Sequence, residues 1–103
     1  MTYSYKGEFL YWKNKLALLK SADLENPQVR RSLMKIDYAN YCRYHKNANI
    51  NRESTEAVFK FMRGVKEKNK DIAEEGIKDG LINFKKRLPA EIAKQIKTED
   101  IWK

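Results

Sequence analysis

Residues 38–47, YANYCRYHKN, crowd three tyrosines, the lone cysteine, the lone histidine and two cations into ten positions. Cys42 and His45 stand three apart, so on a helix their side chains project about 60° from one another. Two kinds of chemistry suit that spacing. A thiolate beside an imidazole is a nucleophile with its base, and the same pair supplies half of a zinc site.

Neither is complete. Zinc needs three or four protein ligands, and the chain has no second Cys or His, so a carboxylate such as Asp37 would have to help. The pair also lacks a recognisable third group or oxyanion hole, whereas a buried cysteine acting as a small apolar side chain is the commoner case. Elsewhere, Asp71, Glu74, Glu75 and Asp79 precede Lys85, Lys86 and Arg87 on one helical stretch. Acid first and base last is what a helix dipole favours, so no acid–base pair is needed to explain it. GIKDG, at 76–80, lacks the GK[ST] ending of a phosphate loop and follows no strand. The expectation is a protein that is not an enzyme, with no catalytic residue, no metal and no cofactor.

The opening stretch also suits recognition. On a helix, Tyr38, Tyr41, Cys42 and His45 share one side with Met34, while Val29, Leu33, Ile36 and Tyr44 lie nearly opposite. Two readings compete. The helix is central and covered on both sides, or its aliphatic face meets the core and Tyr38, Tyr41 and His45 face a partner. Tyrosine tolerates such a half-buried place because its ring packs while its hydroxyl stays wet. A homodimer is a further way to bury an unmatched stripe, and Gly76 and Gly80 are a hint of close helix approach.

These residues must be held by helices. Glycine and proline number only four and two, too few for a turn-rich strand fold. A first helix is expected over about residues 6–22, with Tyr5, Phe9, Trp12, Leu16 and Leu19 on one stripe and Lys13, Asn14, Lys15 and Lys20 mostly off it. Asn26 before Pro27 reads as the cap and first residue of a second helix reaching about Lys46. After the asparagine-rich NANINRES, Ser54 caps a third helix to about Lys68, carrying Val58, Phe61, Met62 and Val65. A fourth helix restarts around KNKD with Asp71 and Glu74 at capping-box spacing and Ile77, Leu81, Phe84 and Leu88 inward. Residues 54–88 could instead form one kinked helix, but the apolar stripe slips by a residue near Gly76, which favours a break. Pro89 opens a short fifth helix with Ile92 and Ile96 inward, and Trp102 packs back. The predicted fold is all-α, a compact bundle of about five helices, some short, in a single domain over 1–103. Its expected core holds Phe9, Trp12, Leu16, Leu19, Leu33, Ile36, Val58, Phe61, Val65, Leu81 and Phe84.

Charge bounds the partner. Twenty-two Lys and Arg against fourteen Asp and Glu leave a surplus of +8, which attracts polyanions and excludes an acidic nucleic-acid mimic. The longest apolar run is LALL at 16–19, far short of a membrane span. No basic-then-apolar leader opens the chain, and a lone cysteine fits a reducing compartment, so a cytoplasmic setting is expected.

Lys60, Arg63, Lys66 and Lys70 fall within about 120° on the third helix, away from its apolar stripe. They form a basic ridge and are the first-choice nucleic-acid contacts, with Arg43 and Lys46 second; a solvated lysine face is the plainer account. AEIAKQIKTEDIW, at 90–102, resembles the opening of a helix-turn-helix, but the chain stops where the recognition helix would begin. Backbone-led rather than sequence-reading contact is therefore favoured. The expected function is a non-catalytic, nucleic-acid-associated accessory or regulatory protein. The alternative is an inhibitor or adaptor that docks on a larger protein complex, a description that an accessory protein of a phage or other mobile element could fit.

Overall fold

The computed structural model describes residues 5–35 and 52–93, and they are helical with no strand. Helix α1 spans Tyr5–Ser21, α2 occupies residues 27–35 up to the edge of the described residues, α3 spans Arg52–Lys66, α4 spans Lys70–Arg87 and α5 is the single turn Ala90–Ala93. The expected all-α class holds. The count differs slightly from the expected five, because only α1, α3, α4 and α5 have both ends among the described residues. Ile36, Tyr38, Tyr41, Cys42, Arg43, Tyr44, His45, Lys46, Ile96 and Trp102 lie outside the described residues.

Helix ends follow local chemistry. At α2, the Gln28 amide donates to Asn26 Oδ1 at 2.9 Å, so Asn26 caps the helix and Pro27 needs no N–H. Between α3 and α4 the chain breaks instead of kinking. The Asn69 amide donates back to the Gly64 carbonyl at 2.8 Å and the Lys68 amide to Val65 at 3.1 Å. Lys68 takes the left-handed φ of 59° that this C-terminal closure requires. Asn69 then caps α4, its side chain accepting from the Ile72 amide at 3.2 Å. The expected caps are thus corrected at two points. Asn69 does the work assigned to Asp71, and Ser54 lies inside α3 rather than at its start.

Helix α4 is the centre of the described residues, in contact with both α3 and α1. Gly64 faces Ala73, Gly76 faces Ala57 and Phe61, and Lys60 reaches Asp79. Residue numbers run in opposite senses, so α3 and α4 are antiparallel. Trp12 lies over Gly80 and Phe9 stacks on Phe84 at 6.0 Å, which makes α1 antiparallel to α4 as well. A Cβ on Gly76 would sit 2.5 Å from the Phe61 backbone nitrogen. Only glycine lets the two backbones approach that closely. Gly76 and Gly80 therefore serve contacts within the chain, which removes one of the two reasons for expecting a dimer.

The core between these helices contains Trp12, Leu16, Leu19, Leu33, Val58, Phe61, Val65, Leu81 and Phe84, as the stripes imply. Phe9 is only partly buried. Leu24, from the α1–α2 turn, and Ala57, Ala73 and Ile77 complete it. Burying each large side chain contributes roughly 1.5–3 kcal/mol.

Candidate nucleic-acid interface

The buried side of α3 is set by Ala57, Val58, Phe61 and Val65. Opposite it stands Phe59, 54% exposed. Stepping about 100° per residue from Phe59 places Arg52, Arg63 and Lys66 within about 40° of it. Arg52, Phe59 and Lys66 are seven apart and drift only about 20° per step, so they form a line along the helix. The outer face of α3 is a cation–aromatic–cation row with Arg63 beside it.

The four cations of the expected ridge are in different situations. Lys60 bridges to α4, with Nζ 2.9 Å from Glu75 Oε1 and 3.1 Å from Asp79 Oδ2. Those hydrogen bonds, Glu75's first, hold the ammonium above its ordinary value, and the bond from Lys60 holds Glu75 below its own. Arg63 meets Glu67 at 3.5 Å with both side chains more than half exposed, a loose pair worth at most about 1 kcal/mol. Lys66 is exposed and makes no hydrogen bond or ion pair among the described residues. Lys70 belongs to α4, not α3, and its ammonium donates to the Lys20 carbonyl at the end of α1, at 3.2 Å. The break at Lys68–Asn69 is why the four do not share one helical face. Arg43, Lys46, Tyr38, Tyr41 and His45 lie outside the described residues.

Arg52, paired with Glu56 at 3.0 Å on the surface, and Phe59 are candidate residues of this face that the apolar and basic spacing did not single out. The signal was available: on the wheel that located the ridge, Phe59 falls about 160° from Phe61 and so cannot share its burial.

A shallow groove of about 360 Å³ runs between α3 and α4, walled by Glu53, Glu56 and Lys60 on one side and Asp79, Ile82 and Lys86 on the other. Three carboxylates against two lysines make it a poor seat for phosphate. Beneath one end lies a buried polar network. Asn83 Oδ1 accepts from the Ser54 hydroxyl at 2.6 Å and from Arg87 Nε at 2.9 Å. Asn83 Nδ2 donates to Glu53 at 2.8 Å, and Arg87 donates to the buried Glu8 at 2.7 Å. These bonds tie α1, α3 and α4 together and leave the network's polar atoms with partners.

Seven residues on from Glu8 along the same face of α1, Lys15 is buried against aromatic rings, its Nζ 4.2 Å from the Tyr11 centroid and 4.5 Å from that of Phe61. Burial pushes its ammonium down from 10.5 to about 6, while the ring faces favour the cation. Trp12 Nε1 is buried without a hydrogen-bond partner among the described residues.

Among the described residues, no group of three or more His, Cys, Asp or Glu could hold a metal ion, and no helix is long and apolar enough to cross a membrane. No protein-family model, curated protein or solved structure matches the chain.

Proposed function

We propose that this chain is a non-catalytic, nucleic-acid-associated accessory protein of a reducing, cytoplasmic setting, and that it holds the phosphate backbone on the outer face of α3. The observation that carries the reading is the row Arg52–Phe59–Lys66 with Arg63 alongside, opposite the buried stripe. Arg63 and Lys66 are the principal contacts. Lys60 contributes where a phosphate replaces its carboxylates, and Lys70, together with Arg43 and Lys46 outside the described residues, adds to the net positive charge.

The test is the salt dependence of oligonucleotide affinity. Three phosphate contacts on a single strand imply a slope of about −2 in log K against log salt, because each releases condensed counterion. Reversing Arg63 and Lys66 to Glu should weaken binding to all sequences alike, since backbone contacts carry no sequence code. No binding at low salt, where attraction is strongest, ends this reading.

A second reading is favoured by Leu10 and Leu18, exposed on the outer side of α1. They suit a protein-directed inhibitor or adaptor, whose anchors are apolar and aromatic rather than cationic. That protein would hold one stoichiometric partner in a pull-down from its native cell and lose it on Leu10→Asp or Leu18→Asp, with oligonucleotide affinity absent.

A further inference from the structure

An exposed phenylalanine alone needs no explanation; the surroundings of Phe59 give it one. Within about 60° of it on α3 lie Arg52, Thr55, Glu56, Met62, Arg63 and Lys66, three cations against one carboxylate. The ring is therefore not part of a broad apolar patch of the kind that receives another protein's core. A ring with cations before, beside and after it matches a ligand that alternates flat π-faces with negative charges.

We infer that the ligand of this face is single-stranded nucleic acid, and that Phe59 is its base-stacking residue; the inference rests on the function proposed above. Base–aromatic stacking is tolerant of sequence because every base has a π-face. Within a duplex those faces are already stacked on their neighbours, and reaching one means extruding the base at an energetic cost. A single strand presents them openly. From Arg52 to Lys66 is fourteen residues, about 21 Å at 1.5 Å per residue. That is room for about four nucleotides, the lower end of single-strand site sizes. The strand would follow the helix axis, with phosphates at Arg52, Arg63 and Lys66 and a base on the ring between them.

The experiment is fluorescence anisotropy of the full chain with a labelled twelve-nucleotide oligo-dT and with a duplex of equal length, both at low salt. The expected result is preference for the single strand. Phe59→Ala should weaken single-strand binding about tenfold or more, leave duplex binding unchanged, and be rescued by Phe59→Tyr, which still stacks. Phe59 is more than half exposed, and circular dichroism checks that the alanine variant keeps its fold. Equal affinity for duplex and single strand, or an alanine variant that binds oligo-dT as the parent does, overturns the single-strand assignment while backbone binding stands. Absence of any binding to either oligonucleotide overturns the functional reading and this inference with it.

Discussion

Replacing Lys15 with Met should change how stability responds to pH, and the size of the change follows from the structure. Lys15 is 6% exposed and burial lowers its ammonium from 10.5 to about 6. Through that window the unfolded chain holds a proton that the folded chain lacks, so stability rises with pH and is lost as pH falls toward 6. At 1.36 kcal/mol per pH unit the whole window amounts to about 6 kcal/mol. The rings oppose it. Contacts at 4.2 and 4.5 Å to Tyr11 and Phe61 stabilise the dry cation by about 1–2 kcal/mol each. The net expectation is about 2–4 kcal/mol. Urea unfolding of both proteins between pH 6 and 10, followed by circular dichroism, isolates it, because other titrations cancel in the difference. Methionine is close in length and has no proton to lose, so Lys15→Met should be the more stable protein near pH 6.5, by a margin that shrinks by about 2–4 kcal/mol toward pH 10. A margin constant to within about 0.5 kcal/mol would refute the reasoning, since Lys15 would then carry the same charge folded and unfolded.

Breaking the buried Arg87–Glu8 pair with Arg87→Met should cost about 3 kcal/mol or more, because it takes the arginine away from a buried carboxylate; adding Glu8→Leu should recover much of that loss in a thermal melt, whereas additive losses would contradict it. Gly80→Ala drives a methyl group into the Trp12 ring, 2.5 Å from Cζ2, and should lower stability by about 1–2 kcal/mol in urea despite alanine's better helix propensity. An unchanged or raised midpoint would show that Trp12 moves freely. Lys68→Gly relieves a left-handed backbone and should be neutral or stabilising by about 0.5 kcal/mol, with the same change at the exposed helical Lys78 destabilising by about 1 kcal/mol.

The helices and most of their inward residues were legible because apolar spacing is a local property. Trp12, Leu16 and Leu19 announce the buried side of α1, but not how far it extends. Lys15 lies only about 40° from Leu19, and Glu8 about 40° from Trp12. Lys15 was expected mostly off the stripe and Glu8 was given no place, yet both are buried, one against rings and the other against Arg87. What decides their position is the partner helix, and Glu8 meets its arginine across 79 residues of chain. The Ser54–Asn83 bond spans 29, so Ser54 looked like a cap when read locally. The basic ridge was legible as charges but not as geometry. Its spacing assumed one helix through Lys70, while the closure at Lys68–Asn69 that divides it depends on a left-handed lysine, a conformation that lysine does not advertise.

That closure also bears on the order in which the chain folds. The contact of Gly64 with Ala73 closes a loop of only nine residues, and the α3–α4 pairs beyond it can zip outward from the turn at little further entropic cost. The contacts of α1 are remote, 50 residues from Lys20 to Lys70 and 79 from Glu8 to Arg87. A hairpin formed early, with α1 docking afterwards, would give high transition-state φ-values at Ala73 and Val65 and low ones at Leu16. On that route Trp12 reaches Gly80 last, and its fluorescence would report the docking of α1 rather than the birth of the hairpin.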